Sequence, residues 1–342
     1  MSDNPKKVEE QMEKAFFISS DCWLSVFDLL SPFQLGLGIA LISHRFDRFV
    51  DEHFKTRRWS LGFIEIGSKV GKNGKKEMEI AKYQNYTWIS LPIPRNPLPN
   101  KVIGFERITI NYIDRNVITF LNLFRYAFRN LNFEILAKSN RILGFIVRNI
   151  WPLLKENICG VKLSSALGFR RLRRFAPSFL CDCPSLRLFC SFVNVFPAFP
   201  PDDSANALDG QAVAKWLFSP RPDGLPKVLR CGIAKYSQFG SMLNGIKEAF
   251  SSASSRVNFF ISIFCTCNPE VEEFDLANEF TGEQLIMKEI SDSTYLLIRC
   301  PIVRDEKKWN KWEITAFTDI YSFGSLWNNI FLSFDEDAIC DE

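Results

Sequence analysis

Histidine is nearly missing from this chain. Only His44 and His53 occur among 342 residues, both in the opening segment. Histidine is the usual general base near neutral pH, so a Ser–His or Cys–His centre built on the rest of the chain is excluded. Both histidines read as polar-face helix residues. Zinc-type spacing is missing too. The ten cysteines include two C-x-C pairs, Cys181/Cys183 and Cys265/Cys267, but no C-x2-C pair and no nearby histidine. We expect no metal, no cofactor and free thiols of a reducing compartment. No run reaches 18 apolar residues, so no membrane span is expected. The start, "MSDNPKKVEEQMEKAFF", shows no long apolar run with a small-residue cleavage site. The expected location is therefore the cytoplasm and/or nucleus. A phosphate loop is absent. "GSKVGKNGKK" has three residues between its first glycines and Asn73 where Ser or Thr would hold magnesium. It reads instead as a hairpin turn between Trp59–Ile66 and Glu77–Lys82. A net charge of +3 points to neither nucleic acid nor an acidic membrane.

What is abundant is apolar. Hydrophobic residues make up 46 % of the chain against 24 % charged, and there are 33 Phe. That suits wide, dry cores and two or three domains. The densest apolar block is Ile18–Phe54. Trp23, Phe27 and Leu30, with Leu24 alongside, form one helical face, which Ser20 or Asp21 can cap and Ser31-Pro32 can stop. Leu35, Ile39 and Ile42 mark a second helix, with Leu37 and Leu41 on another side. Phe46, Phe49, Val50, His53 and Phe54 mark a third. Three short helices cannot hide this much apolar surface among themselves. Either the rest of the chain or another protein covers the remainder.

The order "ISSDCWLSVFDLLSPFQL" followed by "ALISHRFDRFV" resembles an F-box. Asp21 matches the family's acidic position, Trp23, Leu24, Val26, Phe27 and Leu30 its first-helix hydrophobics, Ser31-Pro32 its middle, and Ala40–Phe46 its closing segment. The longer stretches "QLGLGIALISHRFDRFVDEHFKTRRWSLGFIEI", "RNPLPNKVIGFERITINYIDRNVITFL" and "AKWLFSPRPDGLPKVLRC" are similar to F-box proteins expanded in nematodes. The resemblance implies a non-catalytic receptor subunit of a Skp–cullin–F-box ubiquitin ligase. A Skp-type adaptor, and through it a cullin, is the implied partner, together with a protein substrate. The implied adaptor contacts are Ile18, Trp23, Leu24, Phe27, Leu30, Pro32, Leu35, Leu41, Ile42 and Phe46. Two other readings compete: a repeat-type interaction scaffold or decoy outside any ligase, and an enzyme using Asp202/Asp203 or Asp335/Asp337.

Beyond the block, strand-like cores at Ile108–Ile110, Phe133–Ile135, Val161–Leu163 and Leu186–Leu188 alternate with helical stretches. The helical marks are Val117/Phe120/Leu121/Phe124/Phe128, then Ile142/Ile146/Ile150, then Phe169/Leu172/Phe175/Phe179. The interval of about 25–28 residues is that of a leucine-rich repeat, here degenerate. A further unit follows "FPAFPPDDSANALDG", with Val213/Trp216/Leu217 as helix and Val228-Leu229 as strand. Strands at Val257–Phe264, Gln284–Ile290 and Thr294–Cys300 come next, then a helix carrying Trp309, Trp312 and Ala316. The expected fold is mixed, α+β or α/β. It comprises a flexible tail (1–16), a three-helix F-box (17–58), a hairpin and Pro-rich connector (59–100), an irregular α/β repeat region (101–235), a β-rich recognition region (236–320) and a C-terminal acidic tail (321–342), whose end "FDEDAICDE" is expected to be disordered. On the repeat strands, residues flanking the apolar ones face away from the helices. Arg107, Thr109, Asn111, Asn132, Glu134, Lys162, Ser164, Ser185, Arg187 and Phe189 are thus the expected substrate surface, suited to acidic groups beside an apolar spot. "FRRLRRF" at Phe169–Phe175 reads as a solvated helix face, and nucleic acid is not expected.

Overall fold

The computed structural model describes residues 18–30, 35–84, 86–93, 102–124, 130–136, 139–163, 166–191, 195–233, 239–265, 272–291, 293–318, 326–333 and 335–339. The chain forms two compact units, Met1–Trp59 with Pro99–Val102, and Ser60–Leu98 with Ile103–Glu342.

In the first unit, α1 (Ser20–Phe27) starts at Ser19, whose hydroxyl accepts a hydrogen bond from the Cys22 amide. The cap is thus one residue earlier than expected. Helix α2 (His44–Thr56) is capped in the same way by Ser43, which accepts from Phe46. The expected second helix is instead a π turn, Leu35–Ile39, running into a 3-10 turn, Ala40–Ile42. Gly36 and Gly38 lie inside it, and glycine lowers helix stability by about 1 kcal/mol relative to alanine. Ser31, Pro32 and Gln34 lie outside the described residues. Phe27, Leu35 and Val50 are the unit's core, with Trp23, Leu24, Leu30, Phe46, Phe49 and Phe54 packed around them.

The second unit is built on a 13-stranded sheet. Its strands are β1 (Phe63–Val70), β2 (Lys76–Gln84), β3 (Thr87–Leu91), β4 (Arg107–Ile110), β5 (Leu131–Ile135), β6 (Ile158–Leu163), β7 (Leu188–Ser191), β8 (Lys227–Ile233), β9 (Phe259–Cys265), β10 (Phe274–Asn278), β11 (Glu283–Ser291), β12 (Thr294–Pro301) and β13 (Asn329–Leu332). The spatial order is β10-β11-β12-β9-β8-β7-β6-β5-β13-β4-β1-β2-β3. Strands β1, β4, β13 and β5 through β9 are parallel, and both flanks are antiparallel. Parallel neighbours need crossovers. The connecting helices are α3 (Arg115–Phe124), α4 (Asn140–Phe145) and α5 (Trp151–Leu154) joined by a π turn, α6 (Ala166–Arg173), α7 (Asp209–Leu217) and α8 (Phe239–Ser251).

The register explains the core. Ile64, Ile108, Ile330, Phe133, Val161, Phe189, Leu229 and Ile261 are partners in one continuous row across the sheet. All are buried. Aromatic residues of the connections meet this row: Trp151 on Phe133 at 5.8 Å, Phe169 on Phe189 at 5.1 Å, and Trp216 on Phe189 at 6.1 Å. Side chains alternate across a strand, so the neighbouring positions point to the other face. There, α9 (Glu306–Thr318) covers the β8–β9–β12 end, burying Trp309 and Ala316 on Val228, Phe260, Leu296 and Ile298.

Several expectations change. The segment taken for an acidic tail supplies β13, which lies between β4 and β5 in the middle of the sheet. Ile339 is buried and bridges Ile113. A strict stack of repeats would put β4 beside β5, and β13 separates them. The boundaries expected at 100, 235 and 320 do not divide this unit, because one sheet runs through them. The connector "SLPIPRNPLPN" begins inside β3, and residues 94–100 lie outside the described residues.

Candidate functional site

Two surfaces carry the residues singled out by the sequence. On the helical unit, Ile18, Leu41 and Ile42 are exposed, Leu41 by 76 % and Ile42 by 63 %. Trp23, Leu24, Leu30 and Phe46 are half-buried, and Trp23 meets Phe46 edge-on at 4.8 Å. Phe27 and Leu35 are fully buried, which corrects their placement at a partner surface. Phe27 points between the helices, against Trp23, Phe46 and His53. Val26 on α1 and Leu29 in the turn that follows it are exposed by 43 % and 85 %. The pattern Trp23/Phe27/Leu30 drew attention to the inward stripe. The outward apolar pair was legible only as apolar residues off that stripe. Ile18, Val26, Leu29, Leu41 and Ile42 are five large apolar residues open on one small unit, more than a solvated helical pair requires.

His53 is buried beneath this unit, edge-on to Phe27 at 5.7 Å and to Trp59 at 5.5 Å. Burial lowers its pKa below the ordinary value. The Arg57 guanidinium lowers it further, and Asp28 opposes them weakly. The unfolded chain therefore takes up a proton before the folded unit does. His53 leaves stability intact above about pH 6.5, and stability is lost as pH falls through that value toward the lowered folded pKa. Amide exchange across His44–Thr56, corrected for the intrinsic effect of pH, should rise between pH 7 and pH 5.5. The rise should be smaller in His53→Leu, and equal rises in both proteins would contradict this assignment.

On the sheet unit, the face opposite the connecting helices brings Arg107, Glu134 and Lys162 together. Lys162 Nζ lies 2.8 Å from one Glu134 oxygen and Arg107 Nη2 lies 3.4 Å from the other. The Arg107 guanidinium crosses β13 to reach it, over the Phe331 ring at 4.4 Å. Thr109 pairs in register with Phe331 and Glu65, and Asn111 donates to Glu65 at 2.6 Å. Glu65 and Phe331 escaped the sequence reading because their strands come from far away in the chain. With Glu65 and Glu134 beside Arg107 and Lys162, this patch is charge-balanced, and the expectation of an acidic partner for it loses its ground. Asn132 is nearly buried and donates to the Trp327 carbonyl. Ser164 lies outside the described residues.

Two further placements are corrected. Phe189 faces the helices, fully buried, and not the open side. The strand begins at Leu188, two residues later than expected, so Phe189 joins the inward row; a one-residue slip in phase exchanges faces. Ser185 lies in the turn before β7, and its hydroxyl donates to the Glu156 carbonyl. Arg187 sits apart from the ion triad, in a cavity beneath α9. Of the run "FRRLRRF", Arg173 is not solvated: it turns inward to bond Ala207, Ser204 and Asp209.

The remaining chemistry is quiet. Burial raises the Cys159 and Cys190 thiols to about 11, so both are neutral at physiological pH and neither is an anionic nucleophile or a ready ligand. Among the described residues no group of three or more His, Cys, Asp or Glu could hold a metal, and no helix is long and apolar enough to cross a membrane. Cys267 lies outside the described residues. Asp202 accepts from the amide and hydroxyl of Ser204, which hold its pKa below the usual carboxylate value, as suits a turn and not a proton donor. No family model matches the chain, and neither a curated protein nor a solved structure matches it.

Proposed function

We propose that this chain is a substrate receptor of a Skp–cullin–F-box ubiquitin ligase, with Ile18–Phe54 docking on a Skp-type adaptor and the sheet unit holding a protein substrate. The observation that carries the reading is the apolar surface of the helical unit: Leu29, Leu41 and Ile42 stay exposed although the unit already has its own core in Phe27, Leu35 and Val50. It joins the F-box-like order of residues in the same segment. The surface would be satisfied by a partner with a matching apolar face. The chain would supply no ubiquitin chemistry itself, and it would act in the cytoplasm and/or nucleus.

The test is co-purification of the full chain with a Skp-type adaptor. Phe27→Asp is a poor probe, since it would disrupt the core. Leu41→Asp with Ile42→Asp places charges on exposed positions and should leave the fold intact. Desolvating an unpaired carboxylate at an interface costs several kcal/mol, so binding should fall by at least about a hundredfold. Equal recovery of adaptor with this double variant would overturn the reading. If the wild-type chain itself fails to bind the adaptor, the interaction-scaffold reading takes its place.

A further inference from the structure

A cavity of about 530 Å³ opens on the sheet face beneath α9, within the second unit. Its volume is in the range of small-molecule sites. Leu188, Val228, Trp312 and Ala316 form an apolar wall, and Arg187, Arg221 and Arg230 line the polar side, with one carboxylate, Asp223. The charges are not equally satisfied. Arg221 is clamped to Asp223, at 2.9 and 2.5 Å, and donates to the carbonyls of Ser185 and Leu186. Arg230 donates to the carbonyls of Thr315 and Ala316 in the last turn of α9, where the helix end carries partial negative charge. Arg187 gives only its Nε–H, to the Pro226 carbonyl at 3.1 Å, and its two terminal nitrogens have no partner among the described residues. Its guanidinium lies 6.0 Å from the Trp312 ring centre.

A half-buried guanidinium beside a second one, with the nearby Asp223 carboxylate hydrogen-bonded to Arg221 and not to it, is an unfavourable arrangement for an empty protein. Burial, and after it the Arg221 charge, lower the Arg187 pKa below its ordinary value, and the Asp223 carboxylate, already held by Arg221, opposes them only in part. A ligand oxyanion would relieve both, through two parallel N–H···O bonds in a site that excludes much of the water. We propose that this cavity binds a small organic anion: a carboxylate or phosphate ester on a flat apolar body, with the oxyanion on Arg187 and the body against Trp312, Leu188 and Val228. The inference stands on the sheet unit alone and does not depend on adaptor binding.

The experiment is calorimetric titration of the full chain with phenyl phosphate and with benzoate, and with benzyl alcohol as a neutral match. At least one anion should bind one to one with a dissociation constant below about 10 mM, and the tighter of the two identifies the oxyanion. Benzyl alcohol should not bind. Arg187→Gln should weaken the anion by about tenfold or more, while Arg174→Gln, exposed on another surface, should change nothing. Asp223→Asn acts in the opposite direction: it removes the competing carboxylate and should tighten the anion severalfold. That variant also keeps the test decisive if Arg187→Gln fails to fold. Saturation by neither anion, binding unchanged in Arg187→Gln, or binding unchanged or weaker in Asp223→Asn would each overturn the proposal.

Discussion

Deleting residues 326–342 is expected to leave the sheet unit without a cooperative fold. The deletion removes β13, a strand with partners on both sides. Asn329–Leu332 pairs with Arg107–Ile110 and with Asn132–Ile135. Asn328 adds a clasp: its amide donates to the Phe105 carbonyl, its side-chain oxygen accepts from the Phe105 amide, and its carbonyl accepts from Asn132. A side chain at Gly104 would collide with Asn328 and Trp327, so this glycine is needed for their close approach. Removing the strand exposes the backbone groups of two buried neighbours and leaves a slot lined by Ile108, Ile110, Phe133 and Ile135. Ile330 and Leu332, 1 % exposed each, account for roughly 2–3 kcal/mol of burial apiece. Each unpaired buried backbone group adds about 1–3 kcal/mol. The sum rivals the whole stability of an ordinary domain. Thermal melts followed by far-ultraviolet circular dichroism, with gel filtration, would check this. Ile330→Asp should show the same failure in milder form, by several kcal/mol. A truncated chain that melts cooperatively within a few degrees of the full one would contradict the central placement of β13.

The same strand shows where the sequence stops being readable. β5, β6 and β9 could be found because each is a run of alternating or continuous apolar residues next to a helical period. "NIFL" is four residues in a stretch with several Ser and Asn, before an acidic end, and its partners are about two hundred residues away. Nothing local marks such a strand. Faces were harder than elements. The apolar pattern marks the β7 segment as strand from Leu186, whereas the strand starts at Leu188, and this shift moves Phe189 from the open side to the core. Phe27 and Leu35 were recognised as apolar helix-type residues, but periodicity does not say whether a stripe faces a core or a partner. Arg107, Glu134 and Lys162 meet on one face, as alternation predicts from Ile108, Phe133, Ile135, Val161 and Leu163 beside them. Their mutual neutralisation was invisible, because it depends on an Arg107 side chain reaching across an unforeseen strand.

Replacing Glu283 by Gln is expected to destabilise the sheet unit by about 3–5 kcal/mol. Glu283 on β11 and Arg299 on β12 are diagonal neighbours, Arg299 being the register partner of Leu285, and both side chains are fully buried. One Glu283 oxygen accepts from Arg299 Nη2 at 2.6 Å and from Nε at 3.2 Å, and the other accepts from the Val257 amide at 2.8 Å. Arg299 also donates to the Ser255 carbonyl, and its guanidinium lies between the rings of Phe218 and Phe250 at 5.6 and 5.3 Å. Nη1 has no hydrogen-bond partner among the described residues. The pair is therefore only just satisfied. Glutamine keeps the size and an acceptor oxygen but removes the charge, so the arginine stays buried with aromatic rings and carbonyls as its only compensation. The double variant Glu283→Gln, Arg299→Met should be more stable than Glu283→Gln alone, because it removes the stranded cation and refills its volume with apolar atoms. Urea unfolding of the full chain, wild type against the single and double variants, measures both effects. A Glu283→Gln protein within about 1 kcal/mol of wild type would show that water reaches this pair and that burial does not isolate it.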